Sequence, residues 1–359
     1  MSQLKELLDR EARRVDAQPD ALDEVLRGRD RRERERRIGT VIIALAVFGA
    51  KIAYFAGTIG PPRSLPAHPL VPRHNGEIAV RATSGERGSA IIQIDPSTGN
   101  EVVLPIVGGT LAGWPNGPVT DLAWSPDGMT LAYVLEDLWL LDVSSGESRA
   151  LRSCGRDADS CTLAWSPDGS TLAVAQGSEI ELLNPDGTTR TTLTPLGSGT
   201  FVRDPTWAPD GGRIAFVLFA GGSKPANLYS IGADGSDLRQ LVVAPLGDNL
   251  GVWMPAWSPD GSKIAYLSSE STADDRWLIN VTVVGADGSD PTQIVQAGRC
   301  YCIGFTPGLA WSPDGRQMAL VIPGPDGEPG GLYVMDADGT DLRLLREGAW
   351  ARPAWRPVP

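Results

Sequence analysis

The chain is predicted to fold as an all-β, six-bladed β-propeller closed by its own C-terminal strand and preceded by N-terminal helices and one transmembrane helix. Three observations predict the ring. A five-residue word recurs, WSPDG at 124–128, 165–169, 257–261 and 311–315 and WAPDG at 207–211, with a shortened copy, WRP, at 355–357. Its tryptophans lie 41, 42, 50, 54 and 44 residues apart, a period that suits one four-stranded antiparallel unit and exceeds a two-helix repeat of about 34 residues. After each five-residue word comes an alternating apolar stretch, at 130–134, 171–174, 213–217, 263–267 and 317–321, the pattern of a half-buried strand.

The word itself is turn chemistry. Pro presets φ near −65°, Asp hydrogen-bonds its own backbone and Gly takes the left-handed conformation, so Pro-Asp-Gly closes a tight hairpin. The repeat residues expected to build it are Trp124, Asp127 and Gly128; Trp165, Asp168 and Gly169; Trp207, Asp210 and Gly211; Trp257, Asp260 and Gly261; Trp311, Asp314 and Gly315; and Trp355 in the shortened copy. Third strands are expected at 138–143, 180–183, 227–231, 279–284 and 332–335, and in three blades an Ala-Asp-Gly turn then leads to an edge strand. The sixth blade is split. Residues 75–80 match the half of the repeat after the turn, and 353–357 supply the Trp half, so the C-terminal segment is expected to be the innermost strand of a blade whose other strands lie in 75–104. That closure removes open sheet edges.

W-S-P-D-G, then Ile/Leu-Ala-aromatic or Val, then L-Y-x-x-x-A-D-G-S/T-D resembles the TolB-type family of WD-repeat-like propellers, over residues 75–359. The resemblance is specific for fold and weak for function, because propellers host binding modules and enzymes alike. TolB-type proteins carry a small α/β domain ahead of a soluble propeller; helices, an apolar span and a spacer stand there in this chain, which puts a Tol–Pal role in doubt.

Residues 38–59 form a largely apolar run broken only by Lys51, long enough to cross a hydrocarbon core of about 30 Å as a helix. Residues 27–37 before it hold seven arginines against three acids, so the positive-inside rule places residues 1–37 in the cytoplasm and the propeller outside a bacterial membrane. A cleaved signal peptide is the alternative, with an n-region too long for that class. Residues 60–74 hold five prolines and no acid, a stiff spacer reaching about 45 Å. Residues 1–37 read as two short amphipathic helices that loosely resemble the cytoplasmic heads of membrane-anchored regulators. Residues 75–359 hold 18 basic and 34 acidic residues, a formal charge of −16, which repels rather than neutralises nucleic-acid phosphates.

Catalysis is not expected. The two histidines, His68 and His74, lie in the spacer and at its end, so the ring lacks the imidazole of a Ser-His-Asp or Cys-His arrangement and of a typical metal hydrolase. No cofactor is expected. In the run at 336–341 Gly stands fourth, whereas a calcium loop needs it sixth; turn chemistry explains those aspartates. Paired carboxylates in the channel leave a glycosidase-like enzyme as the least favoured reading. Cys154 and Cys161, and Cys300 and Cys302, are disulfide candidates, with local pairing favoured by geometry over two other connectivities.

One face of the ring carries the short Pro-Asp-Gly and Asp-Gly turns; the other carries the long, irregular loops. Recognition is expected on the irregular face, through Trp114, Phe201, Trp253, Tyr301 and Phe305 beside Asp248, Asp274 and Asp275, with Asp157 and Asp159 nearby. The function expected is a non-catalytic binding scaffold for a protein, peptide or envelope ligand. The alternative is a transmembrane signalling regulator in which residues 1–37 meet a cytoplasmic partner.

Overall fold

The computed structural model describes residues 74–82, 90–106, 119–154, 161–196, 199–220, 225–244, 251–271, 277–300, 307–322, 324, 330–348 and 350–358, with side chains from the same set except 271 and 297–300. The segments expected at 1–37, 38–59 and 60–73 lie outside them. Among the described residues no helix is long and apolar enough to cross a membrane.

The described strands form six four-stranded antiparallel sheets. The first blade holds β1 (His74–Ala82), β2 (Ala90–Ile94) and β3 (Glu101–Val103); the second β4 (Asp121–Trp124), β5 (Thr130–Leu135), β6 (Asp137–Asp142) and β7 (Ser148–Ser153). The third holds β8 (Thr162–Trp165), β9 (Leu172–Gln176), β10 (Glu179–Leu183) and β11 (Thr189–Leu193); the fourth β12 (Phe201–Trp207), β13 (Arg213–Phe219), β14 (Asn227–Gly232) and β15 (Arg239–Val242). The fifth holds β16 (Val252–Trp257), β17 (Lys263–Ser271), β18 (Trp277–Gly285) and β19 (Thr292–Cys300); the sixth β20 (Gly308–Trp311), β21 (Gln317–Ile322), β22 (Gly331–Asp336) and β23 (Arg343–Glu347). The last strand, β24 (Trp350–Val358), returns to the first blade in the order β24-β1-β2-β3. Its register pairs Trp355 with Ile78 and Trp350 with Ala82, so the closure read from the two half-repeats is the observed one. The innermost strands touch in the cyclic order β24, β4, β8, β12, β16, β20.

The core is six apolar layers, each shared by two neighbouring blades. Ile78, Ile92 and Trp355 of the first blade pack on Val321 and Val334 of the sixth, and Leu122, Trp124 and Tyr133 of the second on Ile91 of the first. A blade is apolar on both faces because each face meets a neighbour, and the sheet stays buried without helices.

The recurring word does three things at once. Ser125 Oγ donates to Asp127 Oδ1 at 2.5 Å, the Met129 amide donates to the same oxygen at 3.0 Å and the Thr130 amide to Ser125 Oγ at 2.9 Å. The Ser–Asp bond repeats at 166/168, 258/260 and 312/314. The turns also touch around the ring. A side chain at Gly169, Gly211, Gly261 or Gly315 would meet Pro126, Pro167, Pro209 or Pro259 of the preceding blade. At Gly128, whose φ is 67°, a Cβ would stand 2.1 Å from the Pro357 carbonyl oxygen, so glycine there serves both turn and closure. Two of the tryptophans staple blades: Trp207 Nε1 donates to Ala164 O at 3.3 Å and Trp311 Nε1 to Ala256 O at 3.0 Å, each on the preceding innermost strand.

Blade five departs from expectation. Residues 268–276 and 297–308 read as loops in the sequence, yet β17 runs through Ser271 and β19 through Cys300. Ser269, Glu270 and Ser271 lack apolar alternation; they pair with Ile279, Leu278 and Trp277, a continuous apolar run.

Candidate functional site

Three residues before each repeat tryptophan, the innermost strands carry Asp121, Thr162, Asp204, Met254, Gly308 and Arg352, a position that the repeat does not hold constant. The residue after it is Leu in β4, β8 and β20 and Pro in β12, β16 and β24. Proline offers no N–H to the neighbouring strand, so pairing slips at a bulge. Register shifts are seen between Arg203 and Thr206, between Trp253 and Ala256, and opposite β24 between Ala79 and Arg81. Asp204, Met254 and Arg352 consequently adopt φ of 52°, 49° and 52°, a left-handed backbone that costs a non-glycine residue roughly 1–2 kcal/mol.

The three strained residues converge. Arg352 Nη1 donates to Asp204 Oδ1 at 2.8 Å and to Met254 Sδ at 2.9 Å, and lies 3.5 Å from Asp121 Oδ1. In the cyclic order of innermost strands β12 stands opposite β24, so this guanidinium crosses the channel axis. Gly308, next to β24, makes room: a Cβ on it would lie 3.0 Å from Arg352 N and 2.2 Å from Pro353 Cδ. Thr162 Oγ1 accepts from the Asp204 amide at 2.8 Å. Arg352, Asp121 and Asp204 are 8, 6 and 9 % exposed, so the cluster is buried and its pairing decides its cost.

The electrostatics follow from that burial. Desolvation raises the Asp121 carboxyl above the usual carboxylate range and the negative charge of Asp204 adds to it, while Arg352 opposes both. Desolvation works against the Arg352 charge too, but Asp121 and Asp204 outweigh it and hold the guanidinium above its ordinary value. Every carboxylate oxygen has a donor. Asp121 accepts from the Leu122 and Leu163 amides at 2.9 and 2.8 Å. Asp204 accepts from Arg352 and, at 3.4 Å, from the Met254 amide. The two acids share one nitrogen, at 3.5 and 2.8 Å, so they lie close enough for the carboxylate spacing of a glycosidase. Each of their oxygens, however, already accepts a hydrogen bond from the protein. Among the described residues no group of three or more His, Cys, Asp or Glu is placed to hold a metal ion.

The turn aspartates form a second electrostatic population. The side-chain hydroxyl of Ser97 lowers Asp95 to about 2. Hydroxyls of Ser144, Thr188, Ser236, Ser258, Ser289 and Thr340 likewise lower Asp142, Asp186, Asp234, Asp260, Asp287 and Asp338. A carboxyl held below its unfolded value stabilises the fold above that value, about 3.9, and the contribution is lost as pH falls through the folded value. The melting temperature is therefore expected to be level near neutrality and to fall between about pH 4 and about pH 2, as followed by circular dichroism. A melting temperature unchanged across that window would refute it.

The residues expected to carry recognition are distributed as follows. Phe201 opens β12 on the irregular face, 55 % exposed, opposite Phe219 on β13. Leu196 and Val243, on the same face, are 50 and 70 % exposed. Trp253, by contrast, packs half-buried on the layer between blades five and six. Trp114, Asp157, Asp159, Asp248, Asp274, Asp275, Tyr301, Cys302 and Phe305, with the Cys300 side chain, lie outside the described residues. Cys154 and Cys161 are joined by a disulfide, with Cα atoms 6.0 Å apart, at the passage from blade two to blade three. Sequence reading passed over Asp121, Asp204 and Arg352. The signal was the column three residues before each tryptophan, where charges interrupt an apolar strand.

What sheets, closure and channel define together is a six-bladed β-propeller locked by its C-terminal strand. No protein-family model matches the chain, and no curated protein matches it in sequence. Solved structures do. TolB from Acinetobacter baumannii aligns with a TM-score of 0.59 at 21 % identity, over 78 % of this chain and 66 % of that one, so this chain spans just under two-thirds of its length. A TolB candidate from Agrobacterium tumefaciens aligns at 0.55 and 19 % identity, over 79 and 99 %. A chain of a nidogen/laminin complex aligns at 0.55 and 13 % identity, over 78 and 98 %. At these identities the likeness is one of fold: the propeller is TolB-like.

Proposed function

We propose that the chain is a membrane-anchored, extracytoplasmic binding scaffold without catalytic activity, whose irregular propeller face receives a protein, peptide or envelope ligand. The observation that carries the reading is the state of the channel. Its two carboxylates face each other across an arginine with every oxygen engaged, whereas acid–base catalysis requires a carboxyl within reach of substrate. The apolar side chains Leu196, Phe201 and Val243 stand exposed on the irregular face, the kind of anchor that protein interfaces use. The nidogen/laminin complex shows a propeller of this shape in a structure with a partner protein. The Cys154–Cys161 bridge suits an oxidising compartment, and the apolar run at 38–59 suits the anchor.

Photo-crosslinking in intact cells tests this. A benzoyl-phenylalanine at position 201 is expected to capture a discrete partner, and one at position 129, exposed on the opposite face, is not. Externally added protease is expected to release the propeller from spheroplasts. Capture from position 129 alone, or from neither, refutes the assignment of the face; a propeller shielded from the protease refutes the topology.

A further inference from the structure

Blades four and five do not match in length. Strands β17, β18 and β19 each run nine residues, whereas β15, the outermost strand of blade four, has four. The mismatch leaves a cavity of about 360 Å³ between the two blades, away from the channel. That is within the range of small-molecule sites, roughly 300–1,000 Å³.

Its lining is sorted by chemistry. Val242, Val243 and Val252 form an aliphatic wall, and Glu270 and Asn280, on the face of the sheet turned to blade four, a polar one. Asn280 is 2 % exposed. Asn280 Nδ2 donates to Glu270 Oε1 at 3.5 Å. The opposite amide orientation would set a carbonyl oxygen against a carboxylate, so Oδ1 is the atom left over. That Oδ1 has no partner. A buried acceptor without a donor costs about 1–3 kcal/mol, and one on the wall of a cavity marks where a ligand's donor belongs. No Lys, Arg or His stands among the described lining residues, while Glu270 adds an exposed carboxylate at the rim.

We propose that this cavity binds a protonated primary amine carried on an aliphatic chain. The ammonium group has three N–H donors and no acceptor; two of them match Asn280 Oδ1 and the Glu270 carboxylate, and the methylene chain lies along the valines. An anion would meet Glu270 and the carbonyl oxygen, and a neutral alcohol would leave the carboxylate without a counter-charge. The same chemistry comes from a free alkylamine or from a lysine side chain of a partner. The site lies off the channel; it shares Val243 with the irregular face but does not depend on that face receiving a partner.

Calorimetry on the full chain in detergent tests it, with pentylamine, cadaverine and acetyl-lysine methylamide as probes and pentanol and pentanoate as controls. The amines are expected to bind and both controls to fail. Glu270→Gln is expected to weaken the amines about tenfold. Val243→Trp, placed at an exposed position so that folding is spared, is expected to block them. Tighter binding of the lysine amide identifies a protein source and tighter binding of cadaverine a free amine, either supporting the site. Three results overturn it: no amine binding up to about 10 mM, pentanol binding as well as pentylamine, or both variants binding like the parent. Crosslinking at position 201 succeeds or fails independently of these outcomes.

Discussion

Removing residues 350–359 is expected to abolish the cooperative unfolding transition of the propeller. The deletion takes away the whole of β24, whose Trp350, Ala351 and Trp355 are at most 7 % exposed. Trp355 Nε1 donates to Gly76 O at 2.9 Å, and Arg356 packs over the Trp124 ring at 5.2 Å. Truncating one buried tryptophan to alanine costs about 3–5 kcal/mol; two exceed much of a domain's total stability of about 5–15 kcal/mol. The deletion also opens the inner edge of β1, a site for association between chains. Tryptophan fluorescence in urea checks the transition and light scattering checks the association. A synthetic peptide of residues 350–359 supplied in trans is expected to restore part of the transition by adding back the strand. Cooperative unfolding of the truncated chain near the parental melting temperature would show that β24 does not close the ring.

Arg352→Met is expected to cost about 3–5 kcal/mol, because it leaves Asp121 and Asp204 buried with no counter-charge. For a domain of this size that corresponds to a fall in melting temperature on the order of 10 °C. The charge explanation makes a sharper claim than lost packing does. Arg352→Met combined with Asp121→Asn and Asp204→Asn is expected to be more stable than Arg352→Met alone, since a neutral cluster carries no uncompensated charge. Thermal unfolding of the three proteins decides. If the single variant melts within about 2 °C of the parent, the guanidinium does not hold the ring across its axis. If the triple variant is no better than the single one, packing rather than charge dominates at Arg352.

These two experiments separate the parts of the fold that were legible in the sequence from those that were not. The hairpins were legible because Ser125, Asp127, Gly128 and their counterparts make their hydrogen bonds within five residues. Strand 130–134 was legible as a strand but not as half-buried: Leu131 to Leu135 are buried without alternation, because both faces of the blade meet a neighbour. The closure was legible because residues 75–80 and 353–357 are two halves of a word already seen complete elsewhere. Blade five was misread where Ser269 to Ser271 borrow their pairing from Leu278 and Ile279 and have no apolar alternation of their own. The bulges escaped because nothing in the repeated word marks Pro205, Pro255 and Pro353; only the neighbouring strand shows which amide is missing. Phe201 and Trp253, alike as aromatics in irregular segments, parted in the structure: one stands in solvent, the other on the layer between two blades.

The sequence by itself determined the number of blades, the chemistry of each turn and the partner of the last strand, since each rests on contacts local to one repeat or on a match between repeats. Only the tertiary structure decided what the repeats enclose. Arg352 and Asp204 stand 148 residues apart in the chain, on opposite sides of a ring that exists only once its ends have met. The cavity beside Asn280 likewise depends on the lengths of strands in two different blades. Interactions of that kind come from the closed geometry of six sheets, and no window of one repeat contains both partners.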